Sequence, residues 1–266
     1  MKSLVCGPYV GSFEQELLTF RPHAKWISDN LPHDNVIVST HKNRAFMYDW
    51  AEVLPVEDNL TTNEAAQVGL LNKNLGKREY SHYTKEIKLK VAKKHDILKK
   101  NVKLYPLSYT QSPQSISNYQ KRFEPITIPT DIKESISSDT ILFIPDISET
   151  EDRLQKFLSL IQKEYNVKVI GNSKIHLQDQ NVLANKGDDL YKYIIKWMAE
   201  CKMVVCPASY WTFLAKLQGV NVFSWGEGAQ QYKAGNHSCV IPSTKSGINI
   251  DILYKQFVWY LGGKNV

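Results

Sequence analysis

The sequence has 266 residues, 42% of them hydrophobic, and a formal net charge of +6. This length and composition allow one large domain or two small ones with a sizeable core, and they exclude a chain that is disordered overall. No apolar run approaches the length of a membrane span or a signal peptide, so we expect a soluble, cytoplasmic protein of a bacterium or a phage-infected cell. The four cysteines lie in apolar contexts without metal-binding spacing, which predicts buried thiols and no metal site.

The N-terminal half predicts a doubly wound α/β unit. A strand at residues 4–6 runs into a turn between Gly7 and Gly11, and the helix that follows is expected to start near Ser12 and to be interrupted at Pro22. Further strands are predicted at residues 36–38, 53–54 and 102–105, and a lysine-rich helix at about 83–100.

The C-terminal half alternates strands and helices more clearly. It follows residues 108–138, which are rich in Ser, Pro, Thr and Gln and are interpreted as a linker or a long surface loop. We therefore predict an N-terminal lobe at 1–125, with its linker to about 138, and a C-terminal lobe at 139–266.

Near-continuous apolar strands between amphipathic helices are typical of a parallel sheet covered on both faces. Strands are predicted at 140–144, 167–171, 203–206, 220–224 and 239–241, and helices at 154–165, 190–201, from 209, and 250–261; the aromatic residues Tyr254, Phe257, Trp259 and Tyr260 of the last helix are expected in the core.

One strand–turn–helix–strand unit gives the strongest functional signal. An apolar strand at 203–206 is followed by a turn at Pro207 and Ala208 and by a short helix that Ser209 caps and Gly219 ends. The next strand runs into Gly226 and a glycine-rich loop. In such a unit the helix N-terminus faces the carboxyl ends of the strands, where its free N–H groups and dipole can bind a diphosphate.

The architecture resembles that of the two-lobed GT-B glycosyltransferases. From about 140 to 228, the element order and the strand–Pro–Ala–Ser–helix–Gly–strand–Trp–Gly run are similar to the donor lobe of the ADP-heptose transferase type. That family usually has Ser-Gly after this strand and a His in the next turn, where this chain has Ser209-Tyr210 and Trp211-Thr212. The resemblance implies an α/β fold of two Rossmann-like lobes with a cleft between them, and a transferase that uses a nucleotide sugar, UDP-linked or other. An NAD-dependent oxidoreductase is disfavoured because no G-x-G-x-x-G follows a strand.

The donor site is predicted around Ser209 and the N–H groups that follow it. Ser209 could equally be an ordinary helix cap, and Lys186-Gly187 could be either a phosphate contact or a simple turn. Arg153 could clamp a phosphate or pair with Glu149 one helical turn away. The predicted donor-binding residues are Gly11, Arg153, Gly171, Lys186, Gly187, Ser209, Tyr210, Trp211, Thr212, Gly226 and Glu227.

Glycosyl transfer also needs a base that deprotonates the acceptor hydroxyl. In the GT-B resemblance, the helix entrance after Gly11 lies on the acceptor side, which makes Glu14 and Glu16 candidates. An acidic residue in a first helical turn can also simply complement the helix dipole, so Glu16, past the cap, is preferred to Glu14. Asp49 is the second choice. No metal or cofactor beyond the nucleotide sugar is expected.

The residues do not determine which acceptor molecule the transferase would use. Lysines concentrate between Lys73 and Lys121 on the acceptor side, and such a region can bind a polyanion or simply solvate a helix. A hydroxymethylated base in duplex DNA, as modified by some phage transferases, is slightly favoured over a cell-surface glycan. Two other functions are compatible with the same two-lobed fold. The chain could be a non-catalytic protein that binds a nucleotide or a nucleic acid, or an isomerase that acts on nucleotide sugars.

Overall fold

The computed structural model describes residues 2–9, 13, 16–56, 77–105, 126–145, 151–170, 189–208, 210–226, 238–241 and 249–262. The chain divides into two compact units, the first containing the described residues up to 105 and the second those from 126 onward. Each unit is built on one parallel sheet.

The first unit has a four-stranded sheet in the order β3-β2-β1-β4. All three strand pairings are parallel, and Val5 of the central strand lies opposite both Ile37 and Leu104. A π-helical turn at Glu16–Phe20 continues directly into the first α-helix, with Pro22 in its first turn, where the missing N–H costs no hydrogen bond. The elements are β1 Ser3–Cys6, α1 Arg21–Asn30, β2 Asn35–Thr40, a 3₁₀ helix Lys42–Met47, β3 Glu52–Pro55, α2 Lys77–Lys94, a 3₁₀ turn Lys99–Asn101 and β4 Val102–Tyr105.

Helix α2 packs on one face of this sheet through Ile87 and Val91, which contact Val5 and Ile37 in a common apolar cluster. The helix ends at Lys94 rather than near residue 100 as predicted. Asp96 adopts a positive φ of 49°, which a continuing right-handed helix does not allow. The chain then turns into the short 3₁₀ segment that precedes β4.

The second unit has a five-stranded parallel sheet in the order β6-β5-β7-β8-β9. Its strands and helices alternate along the chain, which confirms the prediction of an α/β fold with two Rossmann-like lobes. The elements are β5 Ile141–Phe143, α3 Glu151–Gln162, β6 Val167–Val169, α4 Leu190–Glu200, β7 Met203–Pro207, α5 Tyr210–Leu217, β8 Val222–Trp225, β9 Ser238–Ile241 and α6 Ile250–Gly262.

An aromatic core lies between this sheet and helices α3 and α6. Phe157 of α3 is fully buried, and its ring centroid lies 5.3 Å from that of Trp225 and 6.1 Å from that of Phe257. The prediction that the aromatic residues of α6 are core contacts is confirmed for Phe257 and Tyr260, whereas it is wrong for Trp259, which is 72% exposed. Trp259 lies two residues beyond Phe257, and two residues turn about 200° around a helix.

The prediction of buried thiols is confirmed for Cys6 and Cys206. Cys6 and Cys206 are buried and Cys201 is half-buried, and all three are free. Burial raises the pKa of each of these thiols to about 12. At neutral pH they are therefore protonated, and they act as small apolar side chains rather than as nucleophiles.

Candidate functional site

The strand order of the second unit reverses between β5 and β7. β6 lies on one side of β5, whereas β7, β8 and β9 follow on the other side. Helix α3 is the next helix after β5, and helix α5 follows β7. The Ile144 N–H donates to the carbonyl of Val205 at 2.9 Å, which joins the two strand ends. Ligands of open parallel sheets bind at such a reversal, outside the carboxyl ends of the strands.

The end of the neighbouring strand, β8, is hydrogen-bonded to the loop between β7 and α5. The Ala208 N–H, between β7 and α5, donates to the carbonyl of Trp225 at the end of β8, at 2.5 Å. Gly226 then has a φ of +128°, a backbone conformation that residues with a Cβ rarely adopt. The two chain segments therefore approach closely beside the start of α5. Position 226 requires glycine because of the positive φ of its backbone.

Small polar side chains lie beneath the start of α5. The Thr212 hydroxyl lies 3.5 Å from the carbonyl oxygen of Pro207 and 3.5 Å from the Cys206 sulfur. Ser224 is paired in register with Cys206 and is fully buried, and its hydroxyl has no hydrogen-bond partner among the described residues. Thr212 is itself fully buried, so it contacts the protein interior at the helix start.

The predicted donor residues fall into two groups. Of those described, Arg153 is exposed in the first turn of α3, Trp211 is half-buried in the first turn of α5, and the backbone of Tyr210 begins α5. Helix α5 ends at Leu217 and Gly219 has a φ of +79°, in agreement with the predicted stop. The predicted residues Gly11, Gly171, Lys186, Gly187, Ser209 and Glu227 lie outside the described residues.

The sheet of the first unit also reverses, between β1 and β4. The Gly7 N–H donates to the carbonyl of Tyr105 at 3.1 Å, and the Tyr9 N–H donates to the carbonyl of Ser39 at 2.9 Å. A Cβ placed on Gly7 would lie 2.5 Å from the Ser39 carbonyl oxygen. The segment after β1 is therefore held tightly against the ends of β2 and β4.

Glu16 lies in a buried polar network beside this sheet. Its carboxylate is fully buried and accepts hydrogen bonds from the hydroxyl of Thr40, from the Tyr48 hydroxyl at 2.7 Å and from the Arg44 guanidinium at 2.7 Å. The Arg44 contact is also an ion pair between two buried side chains. The network ties the π-helical turn to the end of β2 and to the 3₁₀ helix that follows it.

The pKa of Tyr48 and one further hydrogen bond complete the description of the network. Burial and the adjacent Glu16 carboxylate raise the pKa of Tyr48 well above its usual range, so its hydroxyl keeps the proton that it donates. The Arg21 guanidinium, also buried, donates through Nε to the carbonyl of Met47 at 2.9 Å. Arg21, Thr40, Arg44 and Tyr48 were not among the sequence-predicted residues, because nothing local indicates a partner more than twenty residues away.

The three predicted bases differ in their surroundings. Glu16 is enclosed by the network just described, whereas Asp49 is exposed, next to the buried Tyr48. Glu14 lies outside the described residues. Within the described ranges, no group of three or more His, Cys, Asp or Glu side chains is placed to hold a metal ion.

Solved structures provide the comparison that identifies the fold. E. coli ADP-heptose lps heptosyltransferase II aligns over 100% of both chains with 14% identity and a TM-score of 0.55. E. coli heptosyltransferase WaaC with ADP-2-deoxy-2-fluoro heptose also aligns over 100% of both chains, with 11% identity and a TM-score of 0.51. The fold is that of the heptosyltransferases.

This heptosyltransferase fold confirms the GT-B-like architecture that the sequence predicted. A further structure of WaaC with ADP aligns over 99% of both chains at 9% identity and a TM-score of 0.50. No protein-family model and no curated protein sequence matches the chain. The likeness is thus one of fold, and the chemistry has to be argued from the residues.

Proposed function

We propose that the chain is a glycosyltransferase that moves a sugar from a nucleoside diphosphate sugar to an acceptor hydroxyl. The observation that carries this proposal is the sheet reversal between β5 and β7, where the strand ends are tied together and α5 begins. Helix N-termini bind anions through N–H groups that lack a partner within the helix. A leaving diphosphate is the charge that such a site would stabilise in glycosyl transfer.

The proposed donor site combines this helix start with the loops around it. The backbone N–H groups at Ser209, Tyr210 and Trp211 would bind the diphosphate, with Thr212 contacting the Pro207 carbonyl beneath the helix start. Arg153, which is exposed on the other helix at the reversal, would pair with a phosphate oxygen. On the basis of the sequence, we further propose these residues as donor contacts: Gly11, Gly171, Lys186, Gly187 and Glu227.

The nucleotide is tested first with ADP, because two of the fold neighbours hold ADP or an ADP-sugar, and then with UDP. Isothermal titration of the full chain with each diphosphate should show binding of at least one. Ser209→Ala should weaken it by about 1 kcal/mol, the free energy of a helix cap or of one hydrogen bond. Ser159→Ala, at an exposed position of α3, is the control. Absence of binding by any nucleoside diphosphate would contradict the proposal.

Substitutions at two glycines distinguish a loss of ligand affinity at the site from a loss of folding free energy. Gly226 and Gly219 both have positive φ angles, but Gly226 lies beside the start of α5 and Gly219 lies beyond its end. Alanine at either position should cost about 1–2 kcal/mol of folding free energy because of the backbone conformation. Only Gly226→Ala should also weaken diphosphate binding. Equal losses of affinity in the two variants would place the site elsewhere.

For the base we propose Asp49, Glu16 or Glu14. The Glu16 carboxylate is fully buried, so an acceptor hydroxyl can reach it only if the side chains around it move, whereas Asp49 is already exposed. Replacing the base with its amide should leave donor binding intact and lower kcat by about 10²- to 10⁴-fold. Glu16→Gln and Asp49→Asn are compared with Asp29→Asn, which alters an exposed carboxylate of α1. A Glu16 variant that is less stable but keeps its specific activity would show that Glu16 has a structural role.

For the acceptor, a glycan hydroxyl is the first choice. Both neighbours that align over the whole chain are described as heptosyltransferases, and one of them is described as an lps enzyme. The hydroxymethylated base of duplex DNA is supported by the lysine content alone. Product analysis by mass spectrometry with the two acceptor classes distinguishes them, and donor binding without transfer to any acceptor would favour a non-catalytic binding protein.

A further inference from the structure

A lysine-rich surface of the first unit has no part in the proposed reaction. It is formed by residues 84–105, which include the C-terminal part of α2, the 3₁₀ turn and β4. This segment contains eight lysines and only two acidic residues, Glu86 and Asp96. We refer to it as the basic surface. Its excess of positive charge equals the net charge of +6 of the whole chain when the histidines are neutral.

Helix α2 separates its apolar and basic faces. Ile87 and Val91 are buried against the sheet, whereas Lys85, Leu89 and Lys93 are exposed at intervals of four residues on the outward side. Residues four apart lie on the same face of a helix. Leu89, which is 52% exposed, therefore lies between two lysines on the solvent face.

The same combination recurs just beyond the helix. Leu98 is 63% exposed and immediately precedes the exposed Lys99 and Lys100. Lys103 of β4 is exposed as well. Two large apolar side chains, Leu89 and Leu98, are thus exposed to water nine residues apart in one strongly basic segment, and neither contributes to the core.

We propose that the basic surface binds the face of an anionic lipid bilayer. Lysines near such a bilayer are attracted by its negative surface potential, and leucines among them can enter the boundary between headgroups and acyl chains. No helix in the described part of the chain is long and apolar enough to cross a bilayer, so binding would be at the surface.

A nucleic acid fits the same surface less well. Phosphate contacts would use the lysines, but exposed leucines would gain nothing from a sugar-phosphate backbone. Residues 84–105 contain no arginine, the side chain that most often reads guanine, and no tryptophan or phenylalanine, and their single tyrosine, Tyr105, is half-buried at the end of β4 rather than exposed for bases to stack on. The leucines therefore favour lipid. This inference does not depend on the proposed transferase activity.

The test is sedimentation of the full chain with vesicles of phosphatidylcholine alone and with vesicles that also contain about one third phosphatidylglycerol. Binding should require the anionic lipid and should weaken as salt is added. In the variant Lys85→Glu/Lys93→Glu/Lys100→Glu the partition coefficient should fall by more than about 100-fold, because each lysine near the surface contributes about five-fold. Leu89→Ser/Leu98→Ser, with the lysines intact, should lower it by about ten-fold.

The matched control reverses three exposed lysines of the second unit, Lys133, Lys163 and Lys255, to glutamate. It changes the net charge equally and should retain at least most of the binding. Three results would overturn the proposal: no binding to anionic vesicles, equal loss in the control and the basic-surface variant, or tighter binding to duplex DNA that the leucine substitutions leave unchanged. Far-ultraviolet circular dichroism of the same variants verifies that they are folded.

Discussion

The two units stabilise their parallel sheets by different means. In the second unit Phe157 contacts four other aromatic rings, of Phe143, Phe223, Trp225 and Phe257, at centroid distances between 5.3 and 6.5 Å. In the first unit the π-helical turn is tied to the 3₁₀ helix that follows β2 through the buried Glu16–Arg44 ion pair. The hydrophobic effect that buries the aromatic rings is non-directional, whereas a buried ion pair is stabilising only if each charge keeps its partner.

The largest expected effect comes from the aromatic core. Phe157→Ala should lower the free energy of unfolding by about 4 kcal/mol, because it removes a fully buried ring and leaves a cavity among the other four. Chemical denaturation followed by circular dichroism measures it. If the loss were below about 1 kcal/mol, the core would have collapsed around the cavity, and the contrast between the units would be weaker than the structure indicates.

The next effect concerns the ion pair. Arg44→Met should cost about 3 kcal/mol, because the Glu16 carboxylate is left buried without its counter-ion. Glu16→Met/Arg44→Met should be more stable than Arg44→Met, although Thr40 and Tyr48 would then lack their acceptor. Equilibrium unfolding of the double-mutant cycle measures the coupling, expected at about 2 kcal/mol. Additive losses would mean that the pair contributes nothing as a pair.

The smallest effect is seen at alkaline pH. The pKa of Cys206 rises from 9.0 in the unfolded chain to about 12 in the fold because the thiol is buried. Its contribution to stability is complete below pH 9 and is lost as the pH rises toward 12, since the unfolded chain deprotonates first. Between pH 9 and 10 the wild type should therefore lose about 1 kcal/mol more than Cys206→Ala.

The corresponding group of the first unit behaves similarly at higher pH. The pKa of Tyr48 is raised above 10, so Tyr48→Phe should reduce the alkaline loss of stability only above pH 10. Urea unfolding at a series of pH values gives both comparisons. A Cys206 variant with the same pH dependence as the wild type would show that this thiol ionises in the folded protein.

The sequence predicted the second unit well because its strands are apolar runs bounded by clear stops. β7 and β8 were placed within two residues, and Gly219 marked the end of α5. The exposed Trp259 shows a limit, because its position on the outer side of α6 follows from helical periodicity rather than from aromatic content. In the first unit α2 was predicted with the correct length but about six residues too far along the chain, since the positive φ of Asp96 has no strong sequence signal.

The site was less accessible to prediction than the fold. Glu16 was selected for its position in the chain, whereas its partner Arg44 is separated from it by 28 residues and is brought close only by the fold. The start of α5 was recognised because strand, turn, cap and helix are contiguous. Local motifs can be read from one segment, but a buried network joins segments that no local pattern relates.

The outer strands of the two sheets also bear on how the protein avoids self-association. Among the described residues, β3 carries Glu52 and Pro55, β4 carries Lys103 and β6 carries Lys168. Charged side chains and proline at a sheet edge oppose pairing with the edge of another molecule. Lys103 lies between the apolar residues Val102 and Leu104, a position at which a charge opposes aggregation of an exposed strand during folding. Replacing it with valine would leave the native sheet intact and make the folding chain prone to aggregate.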